Sequence, residues 1–254
     1  MTFAAGMAKA GLKPVFAVYS SFLQRAYDQV LHDVCAQNLP VVFAVDRAGL
    51  VGKDGATHQG IFDLSYLSSI PNLTVMAPKN KWELSDMLKY AIAAEEPVAI
   101  RYPRGEACDL WKDQRAPIQK RLCGSTRRGT YAALFAIGSM VETAWQVRKK
   151  LAEKGIPTTV VNARFAMPLD KNCLRKLAES HPLLVTMEEN VASGGFGEHV
   201  AAFLEEEALH TKVLRIAIPD CFVEHGSVGE LKKALGLDAD SVTEKILAEL
   251  PEEL

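Results

Sequence analysis

No stretch of this chain is apolar for long enough to span a bilayer as a helix. The opening Met1-Thr-Phe-Ala-Ala-Gly6 has no basic segment leading into an apolar core, so it does not read as a signal peptide. It reads instead like the middle of a helix. Positive charge is not in surplus: 29 Lys and Arg stand against 31 Asp and Glu, a formal net charge of −2. There is thus no global basic field to draw nucleic acid, and no nucleic-acid or membrane partner is expected. The local clusters Arg127-Arg128 and Arg148-Lys149-Lys150 read as solvated faces. Cysteine is odd in number, and no two of Cys35, Cys108, Cys123, Cys173 and Cys221 have the spacing of a metal knuckle. They are expected to be reduced, structural thiols of a cytoplasmic protein, and no metal ligand is assigned. There is no G-x-x-x-x-G-K-[ST], which excludes a P-loop. The alternating acidic ligands of an EF-hand are missing around Asp54-Gly55. No internal repeat of fixed period is seen.

What remains is a chain of 254 residues, 48% hydrophobic, enough for one large domain or two ordinary ones. Compact apolar runs alternate with helical patterns. Val15-Phe-Ala-Val18 reads as a short buried strand ending near Tyr19, and a helix follows to about residue 38. In that helix Leu23, Ala26, Tyr27, Val30, Leu31 and Val34 recur at helical spacing. Further strands are expected at 40–45, 73–77 and 98–101, with helices at 61–69 and 79–94. Residues 103–129 lose the pattern, and a linker is placed at 109–127. The alternation then restarts, with strands at 131–137, 157–161, 183–187 and 212–218. Helices fall at 139–154, from 169, from 196, and over 227–250. The expectation is an α/β protein with two parallel-sheet units, 1–108 and 128–254.

Four stretches could carry chemistry. At the first, Phe22 and Arg25 share a face at a helix start beside Tyr19. A phenyl ring can stack on a flat heterocycle, although a core Phe and a surface Arg are commoner when such a pair is taken alone. The second is the Gly-rich loop from Asp46 to Gly60, just past a buried strand. Arg47 there suits a phosphate, His58 can exchange a proton near neutral pH, and Asp54 can accept a hydroxyl or orient an imidazole. A plain surface Ω-loop is the alternative. At the third, Arg101 and Arg104 flank the end of a strand and could share an anion site with Arg47. The fourth is Gly194-Gly195-Phe-Gly197, a turn opening a helix. It is read as structural or as an interface element, because Glu188 and Glu189 beside it would repel an anion.

Taken together, Tyr19–Gln29, Asp46-Arg-Ala-Gly49, Asp54-Gly-x-Thr-His58-Gln-Gly60 and Tyr102-Pro-Arg-Gly105 resemble the 1-deoxy-D-xylulose-5-phosphate synthase family of transketolase-like thiamine diphosphate enzymes. The resemblance continues through Pro168-Leu-Asp170, Glu188-Glu-Asn190 and Pro219-Asp220. It implies two α/β domains, a pyrimidine-binding domain and a C-terminal one that mainly builds a homodimer. It implies that Phe22 stacks on the aminopyrimidine of thiamine diphosphate with Arg25 beside it. Arg47 and Arg104 would hold the phosphate of glyceraldehyde 3-phosphate, the partner of pyruvate in the family's decarboxylating condensation. Tyr19, Asp54 and His58 would line the acceptor site, with His58 a candidate proton-transfer group. The family's Gly-Asp-Gly motif, which binds the diphosphate and Mg²⁺, has no counterpart here. Nor has its Gly-x-x-Glu-Gln-His stretch, which carries the catalytic glutamate and precedes Thr-Phe-Ala-Ala-Gly. The expectation is therefore a C-terminal fragment, inactive alone. Alternatives are the β-type subunit of a split thiamine diphosphate enzyme, working with a partner chain that carries the diphosphate domain, and a non-catalytic dimerisation module.

Overall fold

The computed structural model describes residues 1–106, 108–113, 115–127 and 129–249, without the side chains of 125–127. The expected start of the second unit at residue 128 and the end of the last expected helix at 250 lie outside the described residues.

The chain opens with α1 (Thr2–Lys9) and β1 (Val15–Tyr19). What the sequence presents as one helix is four short pieces. They are α2 (Ser20–Leu23), a 3₁₀ turn (Gln24–Ala26), α3 (Tyr27–Gln29) and a π-helical stretch (Val30–Cys35). The 3₁₀ turn tightens the winding and the π stretch loosens it, which shifts the phase of the apolar face along the segment. Leu23, Val30 and Val34 still reach the core, while Ala26, Tyr27 and Leu31 are only half-buried. Then come β2 (Val42–Asp46), α4 (Asp63–Ser68), β3 (Thr74–Met76), α5 (Lys81–Ala93) and β4 (Val98–Arg101).

The last four residues of the expected linker are not a linker: β5 (Gly124–Arg127) pairs antiparallel in the second sheet. The second alternation runs β6 (Ala132–Ala136), α6 (Met140–Glu153), β7 (Thr158–Asn162), β8 (Phe165–Met167) and α7 (Lys171–Ser180). It continues with β9 (Leu183–Val191), α8 (Phe196–Glu206), β10 (Lys212–Ile218), α9 (Val228–Ala234) and α10 (Ala239–Ala248).

The strands form two five-stranded sheets, β1-β2-β4-β3-β8 and β10-β9-β6-β7-β5. Each is parallel except for one antiparallel edge strand, β8 in the first and β5 in the second. β8 belongs to the second half of the sequence yet completes the first sheet, so the chain stitches the two units together. β1 is the opposite edge and, among the described residues, pairs only with β2. This corrects the reading of β1 as buried: Val15 is 50% exposed, because an edge strand covered on one side needs no apolar partner at every position.

All-apolar strands hide a division of labour that follows from their period of two. Phe43, Val45, Val75 and Ala99 of the first sheet join Ala133, Phe135 and Leu184 of the second in one buried cluster. Their neighbours Val42, Met76, Ile100 and Val98 pack on Met87 and Ala91 of α5. Ala132, Leu134, Val185 and Met187 pack on Val141, Ala144 and Val147 of α6 and on Ile246 of α10.

The same alternation separates Glu188 from Glu189 on β9. Glu188 points to the start of α8, where its carboxylate accepts from the amides of Phe196 and Gly197, both at 2.8 Å. The anion at this helix N-terminus is thus the protein's own carboxylate, and the Gly194–Gly197 turn is structural. Burial pushes the Glu188 carboxyl from 4.5 up to about 7, against the pull of those two amides. The folded state therefore holds this proton more tightly than the unfolded chain. The group favours folding most at acid pH, and that contribution declines as pH rises from about 4.5 through about 7. Glu188→Gln is expected to flatten this part of the stability profile, read as urea midpoints across that window. A variant that keeps the wild-type slope would assign it to another group.

Candidate functional site

The carboxyl ends of β1, β2 and β4 lie side by side, with Tyr19 in register with Asp46 and Val45 with Arg101. This is the edge of a parallel sheet where ligands bind. Each strand delivers its next residues to that edge: Ser20 onward from β1, Arg47 onward from β2, and Tyr102 to Gly105 from β4.

Seven residues singled out in the sequence meet there in one connected cluster. The Tyr19 and Phe22 rings are 5.4 Å apart, and His58 meets Phe22 edge-on at 5.5 Å. The Arg25 guanidinium lies 5.6 Å from the centre of the Phe22 ring, and that of Arg47 lies 4.0 Å from the centre of Tyr19. A single oxygen of Asp54 accepts from Arg47 Nη1 at 3.0 Å and from Arg104 Nη1 at 2.7 Å. Two guanidiniums share one carboxylate, so the trio carries a net positive charge toward an incoming anion. His58 Nδ1 is 2.9 Å from Thr57 Oγ1. Arg101, by contrast, is not part of this anion site. It is buried, with Nε 2.9 Å from Asp63 Oδ2 and Nη2 bonded to the carbonyls of Gly60 and Glu189.

The loop that carries Arg47, Asp54 and His58 is held rather than left to move. Gly49 and Gly60 exchange amide hydrogen bonds of 2.6 and 2.8 Å and pinch its neck. The close approach needs glycine at position 60, since a Cβ there would sit 2.2 Å from the Arg47 carbonyl oxygen. Arg47 itself has φ 56°, a left-handed conformation unusual outside glycine, and its amide bonds to Asp46 Oδ1 at 2.7 Å. Such strain is sustained only where surrounding contacts over-determine the backbone.

Those contacts come largely from the second unit, and sequence reasoning missed them. Glu189 Oε1 accepts from the Leu50 amide at 2.8 Å, and Gln59 Nε2 donates to the Glu224 carbonyl at 3.0 Å. Burial works to raise the Glu189 carboxyl. Lys232 at 3.3 Å, the Ser139 hydroxyl and the Leu50 amide outweigh it and hold the group below its ordinary range. One signal in the sequence could have found this: adjacent carboxylates on a strand must face opposite sides, so at most one of them could front the α8 turn.

A cavity of about 470 Å³ opens beside the cluster, between the two units. Arg47 and Arg104 reach it, as do Lys81, Lys232, Ser139 and Glu189, but Tyr19, Phe22, Asp54 and His58 do not line it. The arginine pair thus stands between an aromatic face and this cavity.

The family model for the transketolase pyrimidine binding domain matches residues 1–109, and that for the transketolase C-terminal domain matches 124–242. A 1-deoxy-D-xylulose-5-phosphate synthase of Lachnoclostridium phytofermentans is 57% identical over 97% of this chain, and one of Geobacter metallireducens is 52% identical over 97%. In each case the match covers 40% of the relative, so the chain spans well under half of these curated relatives. Among solved structures, a split-gene transketolase described as an inactive β4 tetramer superposes with a TM-score of 0.88 at 28% identity, covering 97% of this chain and 79% of that one. A transketolase of Campylobacter jejuni shares the fold at a TM-score of 0.74 and 18% identity, covering 96% of this chain and 37% of that one. Matched by transketolase domain models over residues 1–109 and 124–242, and similar across its length to these synthases, the chain belongs to the transketolase family.

Proposed function

We propose that this chain supplies the pyrimidine-side and acceptor-side half of a 1-deoxy-D-xylulose-5-phosphate synthase site, in the cytoplasm and as part of a homodimer or larger assembly. The reaction is the condensation of pyruvate with glyceraldehyde 3-phosphate with loss of carbon dioxide, which feeds isoprenoid precursors, thiamine and pyridoxal phosphate. The observation that carries the reading is the shared Asp54 oxygen between Arg47 and Arg104, set beside the open face of Phe22.

The residues present fit the pyrimidine end of thiamine diphosphate. Phe22 is 38% exposed, flanked but not covered by Tyr19, Arg25 and His58, so a flat heterocycle can stack on it. When bound, the cofactor supplies the electron sink for decarboxylation. Arg25 donates beside its ring. Arg47 and Arg104 fix the acceptor phosphate, exchanging part of their hold on Asp54 for the stronger charge of a phosphate. Asp54 and Tyr19 orient the acceptor hydroxyls, and His58 moves a proton at the acceptor carbonyl oxygen. These 254 residues contain neither a Gly-Asp-Gly motif, which would hold the diphosphate and its Mg²⁺, nor a Gly-x-x-Glu-Gln-His stretch. The isolated chain is therefore expected to be inactive with Mg²⁺, thiamine diphosphate and both substrates. Product should appear only when a chain carrying those two features is added. Turnover by the isolated chain above a buffer control would sink the reading as a half-site.

The likeness to the split-gene transketolase favours a second reading, a β-type subunit that works with a separate partner chain. Co-purification with a chain containing Gly-Asp-Gly would establish it.

A further inference from the structure

A second cluster of chemistry-bearing side chains lies outside the arginine–aromatic site. Cys123 precedes β5, and Asp170 and Cys173 open α7. Their two sulfurs and a carboxylate oxygen all lie within 4.8 Å of one another. No sequence spacing announces this trio, because folding brings together segments almost fifty residues apart.

The arrangement is fixed by the backbone. Asp170 caps α7, with Oδ1 accepting from the Cys173 amide at 2.9 Å, while Oδ2 accepts from the Cys123 amide at 2.9 Å. One carboxylate thus positions both cysteines. Each of its oxygens keeps a second lone pair, so the two amide bonds orient the group without using it up. Asp170 is buried and both cysteines are half-buried.

The geometry points to a soft divalent metal site, with Cys123 and Cys173 as thiolate ligands, Asp170 as the carboxylate ligand and water in the fourth position. Two thiolates and one carboxylate suit Zn²⁺ or Co²⁺ and not Mg²⁺ or Ca²⁺, which take oxygen ligands. A tetrahedral centre with sulfur at about 2.3 Å and oxygen at about 2.0–2.2 Å needs ligand atoms a little under 4 Å apart, a small contraction of what the fold already holds. Binding forms two metal–sulfur bonds and one metal–oxygen bond and releases the two thiol protons to solvent. The centre would clamp the segment ahead of β5 onto α7, where the chain passes from β8 in the first sheet back to the second unit. It is separate from the half-site proposed above, and its test does not depend on turnover.

The test is titration of the chelator-stripped full chain with Co²⁺ under a phosphine reductant. One equivalent should give a sulfur-to-cobalt charge-transfer band and tetrahedral d–d bands, and Zn²⁺ should displace it. Cys173→Ala and Cys123→Val, with metal-free melting curves as the control for folding, should each weaken binding at least tenfold. Asp170→Asn keeps the helix cap and should retain the sulfur band at lower affinity. Absence of a sulfur band in the wild-type chain overturns the proposal. So does binding that survives both cysteine substitutions. A reduced chain that ignores cobalt, yet forms a Cys123–Cys173 cross-link with a small-molecule disulfide, would also overturn it and identify a thiol pair instead.

Discussion

Arg101→Met is expected to destabilise the protein by about 3–5 kcal/mol, the cost of removing one partner of a buried ion pair. The guanidinium is 4% exposed and the Asp63 carboxylate is fully buried, so no water replaces the lost partner. Three attachments go at once. Nε leaves Asp63 Oδ2, and Nη2 leaves the carbonyls of Gly60 and Glu189. These groups belong to α4, to the neck of the Asp46–Gly60 loop and to β9, so the substitution loosens the seam between the two units as well as a charge pair. For a chain of this size the melting temperature should fall by roughly 10 °C. Most of the cost comes from the orphaned carboxylate and not from the lost attraction. Arg101→Met combined with Asp63→Asn should therefore recover a substantial part of it. Thermal and urea unfolding of the two variants checks this. Equal losses in both would show that the carbonyl contacts, and not the buried charge, account for the effect.

Arg101 and Arg104 also show what a sequence can and cannot disclose. Both follow the apolar run 98–100, three residues apart, and spacing alone gives them the same standing. Their roles diverge because β4 is a central strand: Arg101, still inside it, is enclosed by β2, α4 and β9, while Arg104 lies past its end and reaches the loop. The cluster of Tyr19, Phe22, Arg25, Arg47, Asp54, His58 and Arg104 was legible because each residue lies at a strand's carboxyl end or in the loop or helix that leaves it, and parallel strands bring those ends together. The alternating strands and helices were legible for the same reason, since period and length specify a parallel sheet well. The edge position of β1 was not, because Val15-Phe-Ala-Val18 is as apolar as a central strand and only pairing decides which strand lies outside. The transfer of β8 to the first sheet and the meeting of Cys123 with Cys173 are likewise products of tertiary pairing that no local pattern carries. The winding of residues 20–35 through 3₁₀ and π turns was hidden by side chains that suit an ordinary helix.

Arg104→Met is expected to raise the KM for glyceraldehyde 3-phosphate by about 10- to 100-fold, with a much smaller change in kcat, when the chain is assayed with a partner supplying the diphosphate domain. The size follows from losing charge-assisted hydrogen bonds worth about 1.5–3 kcal/mol each. The split between KM and kcat follows because a phosphate remote from the reacting carbon is gripped equally in ground and transition states. Arg47→Met should cost more, since Arg47 also lies over the Tyr19 ring and its side chain is more enclosed, 23% exposed against 46% for Arg104. Unphosphorylated glyceraldehyde is the internal control: its poor turnover should be nearly unchanged in Arg104→Met, so the preference for the phosphorylated acceptor collapses. Asp54→Asn makes the opposite electrostatic change. It leaves two guanidiniums without their shared countercharge, so inorganic phosphate should bind the isolated chain more tightly and with a steeper dependence on salt. Turnover should nonetheless fall, because the carboxylate that orients the acceptor is gone. If Arg104→Met lowers the rates with phosphorylated and unphosphorylated acceptors alike, the arginine acts on the architecture of the loop and not on the phosphate, and the anion site belongs elsewhere in the cavity it borders.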